Sequence, residues 1–473
     1  AYEIYRCDWS FRRVLFRSSG LKFTAKFGAI ALALASLIFT FIFTFTCAVA
    51  PSISHAETTA DKHSHPAATE TSNTSNTSTA HTTSTTGTTS TISTINTHNT
   101  NNTTNTLTPP PLADAIAKGK SLSSLRLRDE WVQQDGKARD AQAITLRTLL
   151  GWQTAPLHGL AVGAQLLNVA ALTDDYDNGK NGSTQAGKAD YPRIVDPGYT
   201  GVNQLYVDWT GLAQTRVRLG RQSVKLDNVR FVGNVEFRQV MQVFDGVSVE
   251  SKRLLPDTTV FAAHFDRVTQ VSTLRQDTAI SIVNARYGIS PTENLIGYGY
   301  LVGWDAAALQ ATSSRTVGVR LDGSRPLNPD WKLLYTAEYA KQDPYRNGAA
   351  TIDSHYARLG GGAGYGAWFA RIDQEILSSN RGLSAFQTPL GTNHLFQGWA
   401  DQFLTTPTEG IRDTFVTAGS KHGEFALLAE YHWFHAERAF ALATGGTGTN
   451  YGQELDLSAS WSRGPWLARL EYA

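Results

Sequence analysis

The stretch "GRQSVKLDNVRFVGNVEFRQVMQVFDG", residues 220–246, sets Arg221, Arg230 and Arg238, with Arg218 just before it, in a frame of Val, Phe and Gly. A guanidinium presents a planar fork of N–H donors that matches carboxylate and phosphate oxygens, so the grouping suits either capture of organic anions or internal salt bridging. Lys225 lies inside the stretch, and Arg126, Arg128, Arg147 and Arg216 share the phase of Arg218 in flanking segments. Acids occupy that phase as well: Glu130, Asp208, Asp322, Glu338, Asp373, Glu430, Glu454, Asp456 and Glu471 suffice to pair with most of these bases. Selective anion binding and a rigid charge ladder both stay open. Asp245 stands apart, because it falls in the apolar phase of its segment with Val243, Val247 and Val249.

Other chemistries are poorly supported. A hydrolase needs a Ser or Cys nucleophile, a His base and an orienting polar group. His264, His355 and His432 sit in or near expected strands, but no nucleophile-elbow sequence accompanies them, so no enzyme and no cofactor is expected. Asp174, Asp175, Asp177 and Asp190 are clustered in "TDDYDNGKNGSTQAGKADYPRIVDPG" and could hold a divalent cation with lipid headgroups. Their spacing does not match a calcium loop; a solvated external loop is favoured and no metal site is assigned. With a net charge of +1 over 473 residues, nothing in the overall balance singles out nucleic acid.

The elements that must position these residues are strands. Leu205, Val207 and Trp209 alternate with Gln204, Tyr206 and Asp208, and Trp331, Leu333, Tyr335, Ala337 and Tyr339 alternate with Lys332, Thr336 and Glu338. A period of two is what strands with one apolar face require. Connections alternate in length: short ones such as 155–159, 211–214, 254–257, 325–330 and 420–423 separate long polar ones at 173–200, 225–240, 268–277, 343–354, 378–410 and 436–451. A transmembrane antiparallel β-barrel with tight turns on one rim and long loops on the other produces this pattern. The 40 glycines and the 10% aromatic content fit the same architecture. About 17 strands are expected between Ser124 and the closing "PWLARLEYA". Single-chain bacterial barrels have even strand numbers, so a final long loop and last strand are expected beyond residue 473.

On this count residues 225–240 form the third extracellular loop, which folds into the lumen and carries Lys225, Arg230 and Arg238 into the channel with Arg126, Arg128, Arg147, Arg216 and Arg218. Phe396, Trp399 and Phe403 make 378–410 too apolar for a freely solvated loop, so they are expected to pack it at the mouth as a gate or lid. Residues 1–20 read as a non-native leader, since Met241 is the single methionine. Lys22, Lys26, an apolar run and "SHA" at Ser54 to Ala56 then make 21–56 a signal peptide cleaved after Ala56. The run approaches the length of a membrane span, but the small-X-small ending favours removal. Cleavage would remove Cys7 and Cys47 and leave no thiol. Residues 57–111, rich in Thr, Ser and Asn, read as a disordered tether, and 112–473 as the barrel.

The blocks "SLRLRDEWVQQDG", "AQAITLRTLLGWQTAPLHGLAVGAQLLNV", "GRQSVKLDNVRFVGNVEFRQVMQVFD" and "HLFQGWADQFLTTPTEGIRDTF" resemble the alginate-export family of outer-membrane porins, over nearly all of 112–473. The resemblance implies an 18-stranded porin barrel in the bacterial outer membrane, while the guanidinium forks are what suit anionic organic solutes or uronate polysaccharide as its guest. Phe237 stands where the family usually has Trp, and Val240 where it usually has Asn. Fold does not carry substrate with it. The implied surroundings are outer-membrane lipid and lipopolysaccharide, an anionic solute, and a periplasmic export or uptake partner; a non-transporting structural or adhesin-anchoring barrel is the alternative.

Overall fold

The computed structural model describes the backbone of residues 6–15 and residues 112–443 and 445–473. The signal peptide and the whole tether expected from the sequence lie outside the described residues. One sheet contains every described strand. Seventeen antiparallel strands run from Ser124–Gln133 to Trp466–Tyr472, each bonded to its sequence neighbours. The two-residue strand Lys120–Ser121 adds to Ala141–Gln153. Strand Arg6–Leu15 pairs with both edges, Trp466–Tyr472 and Ser124–Gln133, and is parallel to each. A closed ring follows from those pairings, with no sheet edge left open between first and last strand.

The alternation seen in the sequence sorts side chains between two faces. Leu205, Val207, Trp209, Leu359 and Ile372 are exposed on the outside, as a membrane-facing wall needs. Arg128, Glu130, Thr145, Asp208, Glu338 and Asp373 are buried on the inside. Short turns close one rim; the tight turn after Ser354–Tyr365, at Gly366 and Ala367, joins those expected from the sequence. The other rim carries the long segments, including those between Leu160–Ala171 and Tyr199–Trp209, between Thr215–Gln222 and Val243–Leu255, and between Trp368–Leu377 and Ile411–His422. Among the described residues no helix is long and apolar enough to cross a membrane.

The interior is filled in part. Phe231 and Val232, from the segment between Thr215–Gln222 and Val243–Leu255, join Phe244, Phe265, Ile280, Ile282, Tyr298, Tyr300, Tyr356, Phe386 and Leu390 in one buried cluster. That segment leaves the wall at two glycines in register, Gly220 and Gly246. Their φ angles are +122° and +155°. A Cβ would lie 2.3 Å from the Leu205 carbonyl oxygen at Gly220 and 2.2 Å from the His264 carbonyl oxygen at Gly246. Only glycine lets the strands bend this closely, and the bend turns the loop inward.

Candidate functional site

Residues 223–242 pass into the barrel, as the loop count anticipates, and meet 378–410 there. Gly233 N donates to the Leu390 carbonyl at 2.9 Å and Thr392 N to the Val229 carbonyl at 2.9 Å. A parallel bridge joins Val232 and Leu390. The two loops thus form one plug. Sequence pattern places Phe396, Trp399 and Phe403 together as a lid, whereas in the structure they fasten the second loop at three places. Phe396 lies under the Arg230 guanidinium at 4.6 Å. Trp399 is buried with Val132, Ala143, Tyr176 and Ile194. Phe403 packs against Phe434 at 4.9 Å and Tyr451 at 5.5 Å.

Four of the basic residues singled out in the sequence, Arg126, Arg128, Arg230 and Arg238, hold this plug. Arg126 donates from Nε to Gln239 Oε1 at 2.9 Å and from Nη1 to the Glu236 carbonyl at 2.8 Å, so it reads the loop's backbone. Arg128 bonds the Phe237 carbonyl at 2.8 Å, pairs with Glu130, and lies 3.2 Å from Asp196 of a third long loop. Arg238 reaches Glu130 at 3.0 Å and Asp401 at 2.7 Å. Burial pulls the Arg238 pKa down, but Glu130, Asp401 and Asp196 outweigh it and hold the group above its ordinary value. His394 closes the hub, 2.7 Å from Asp401 and stacked on Phe237 at 3.4 Å. Arg147, opposite Arg126 in register, is buried in the same wall. Glu236 is pushed up by burial, yet Lys225 at 2.9 Å and the charges of Arg147 and Arg126 bring it below the ordinary carboxylate value.

Arg230 has a different anchor. Arg320, Glu338, Arg358 and Glu375 are successive register partners across four strands of the inner wall. Alternating charges at cross-strand distance stabilise one another. Arg230 Nε lies 2.9 Å from Glu375 Oε1 and its Nη2 donates to Gln397 Oε1 at 2.9 Å, so the loop's guanidinium extends the row. Arg218 is held by a two-pronged bond to Asp208, 2.6 and 2.7 Å. Arg216 is paired with Glu250 at 3.0 Å and remains 40% exposed. Arg221 and Asp245 bond each other through two contacts of 2.7 Å, which explains the carboxylate in an apolar phase. Of the acidic loop, Asp177 accepts from Arg193 Nε at 2.8 Å and from the Gly179 and Gln185 N–H groups. No group of acids, histidines or cysteines among the described residues could hold a metal ion.

Beneath the plug lies a cavity of about 1220 Å³ that extends to the short-turn residues Gly366, Ala367 and Gly423. Its charged lining is Arg126, Lys225, Lys332, Lys421 and Arg469 against Asp227, Glu236 and Glu471. Lys332 and Lys421 form no ion pair among the described residues, and Arg469 is 3.6 Å from Glu471. These three were not singled out from the sequence. Their inward phase was visible in it; their convergence on one vestibule from three separated strands was not.

The barrel fold has counterparts. The family model for alginate export matches residues 136–373. The chain belongs to the alginate-export family. Among solved structures it is similar to OccK9 (OpdG) of Pseudomonas aeruginosa, at 16% identity and a TM-score of 0.54, over 73% of this chain and 89% of that one. It is also similar to OccAB4 of Acinetobacter baumannii, at 12% identity and TM-score 0.53, over 70% and 84% of the chains, and to a BenF-like porin from Pseudomonas fluorescens Pf-5, at 13% and 0.51, over 70% and 84%. No curated protein matches it. This alginate-export family member is an outer-membrane β-barrel of the porin class in the bacterial envelope.

Proposed function

We propose that the barrel conducts small organic anions, the class that includes uronates, and that two sets of basic residues divide the work. Lys225, Lys332, Lys421 and Arg469 meet the solute in the vestibule, while Arg126, Arg128, Arg147, Arg218, Arg230 and Arg238 hold the constriction in shape. The observation that carries this is the vestibule's lining, in which five basic side chains face three carboxylates. A confined, weakly screened basic cavity concentrates anions at its mouth.

The paired arginines suit positioning better than binding. A carboxylate arriving at Arg238 would have to displace Glu130 and Asp401, both already within 3.0 Å. Reversal potential in asymmetric salt tests the division, using full-length protein in planar bilayers. Replacing Lys332, Lys421 and Arg469 with Gln should abolish anion preference. If that preference survives unchanged, the vestibule does not select.

The alternative, a structural barrel that passes nothing, draws on the apolar packing of Phe231, Val232 and Leu390 inside the wall. Absence of any conductance in the full-length protein would favour it.

A further inference from the structure

The outer face carries a row of charges that neither transport nor plug uses. Arg221, Asp245, Arg267 and Asp277 are successive register partners across four neighbouring strands, one or two residues from the strand ends on the long-loop rim. Arg315 and Asp343 continue the pattern two strands further on, in register and 3.4 Å apart. All stand on the membrane-facing side, since exposed apolar residues follow two positions along the same strands: Leu219 below Arg221, Val247 below Asp245 and Val317 below Arg315. Two residues of strand are only about 7 Å, so the change from apolar to charged is abrupt.

Height fixes what this row meets. On the strand Trp331–Pro344 the exposed Trp331 stands at the short-turn rim and Lys341, beside Asp343 and Asp353, stands on the same outer face ten residues on. At about 3.4 Å per residue and a tilt of about 40°, that span rises about 25 Å, the height of the apolar band of such barrels. Trp209, Trp368 and Trp466 mark the same lower rim as Trp331. The charged row therefore lies at the headgroup level of the outer leaflet.

Its geometry suits phosphate. Arg267 donates through Nε to Asp277 at 2.7 Å and Arg315 lies through Nε against Asp343. Each acid holds its guanidinium through Nε, and the two arginine side chains are about half exposed, 42% and 56%. Arg275, also exposed, is two residues from Asp277 on the same face and diagonal to Arg267. Diagonal cross-strand neighbours are about 7–8 Å apart, within reach of two long forks that converge on one phosphate. Arg221 is saturated by Asp245 and the Val202 carbonyl and serves as the row's fixed end.

We propose that Arg267, Arg275 and Arg315 form a docking surface for the phosphorylated headgroup of an outer-leaflet glycolipid, lipopolysaccharide by its chemistry and its place in the membrane. The test is native mass spectrometry of the full chain with bisphosphorylated lipid A, dephosphorylated lipid A and inorganic phosphate, on wild type and on the Arg267→Gln/Arg275→Gln/Arg315→Gln variant. Wild type should retain the bisphosphorylated lipid about tenfold better than the dephosphorylated one, the variant should lose that preference, and inorganic phosphate should not compete at matched concentration. Unchanged conductance of the variant would show the barrel intact. Equal retention by variant and wild type, indifference to the lipid's phosphates, or displacement by inorganic phosphate would each overturn the proposal.

Discussion

Arg238 and Lys225 belong to one loop and carry the same charge, yet burial separates their energetics. Arg238 pairs with two carboxylates, Glu130 of the wall and Asp401 of the plug, so Arg238→Ala should leave buried charge uncompensated and cost roughly 3–5 kcal/mol. Lys225 and Glu236 are both about half exposed, and Lys225→Ala should cost under about 1 kcal/mol. Thermal unfolding of the two variants in one detergent compares them directly; similar losses would contradict the distinction. A pH effect sits at the same scale, in Asp177. Burial raises its pKa, but Arg193 and the Gln185 and Gly179 N–H groups lower it below the ordinary 3.8. A depressed carboxylate contributes stability that is full above its unfolded value and lost as pH falls through its folded one. Hydrogen exchange across 173–198 should therefore rise only below about pH 4. Loosening that began near neutral pH would point to another group.

The two plug loops depend on backbone contact where side chains would not fit. A Cβ on Gly391 would lie 2.3 Å from the Arg230 carbonyl oxygen. Gly391→Ala should part the loops and raise single-channel conductance while the barrel stays folded; unchanged conductance would mean that the loops are not the narrowest point. At this scale the sequence was informative about strands and about which loop turns inward, because period-two alternation and loop length are local signals. It was silent on partners. Arg230 with Glu375, Arg238 with Asp401 and Arg128 with Asp196 join residues far apart in the chain, and no local spacing encodes such pairs. Phe396, Trp399 and Phe403 are near neighbours in sequence, yet they pack in three places: against Arg230 of the other plug loop, beside Val132 and Ala143, and against Phe434 and Tyr451. Asp245 looked misplaced until its register partner, Arg221, supplied the matching fork.

Seen whole, the molecule has a membrane-facing wall, a plug towards the long-loop rim and a basic vestibule towards the short-turn rim. On the proposed reading selectivity belongs to the vestibule and rigidity to the plug, although arginine composition alone drew attention to the plug. The charged row on the outer wall is separate from both, so its variants should leave ion selectivity alone. The most direct measurement is reversal potential under a salt gradient for wild type, the Lys332→Gln/Lys421→Gln/Arg469→Gln variant and the Arg230→Ala/Arg238→Ala variant. The predicted result is an anion-selective potential in wild type that collapses towards zero in the vestibule variant, while the plug variant alters conductance more than selectivity. A wild-type potential of zero or of cation-selective sign, or an anion preference lost with the plug arginines and kept without the vestibule bases, would contradict it.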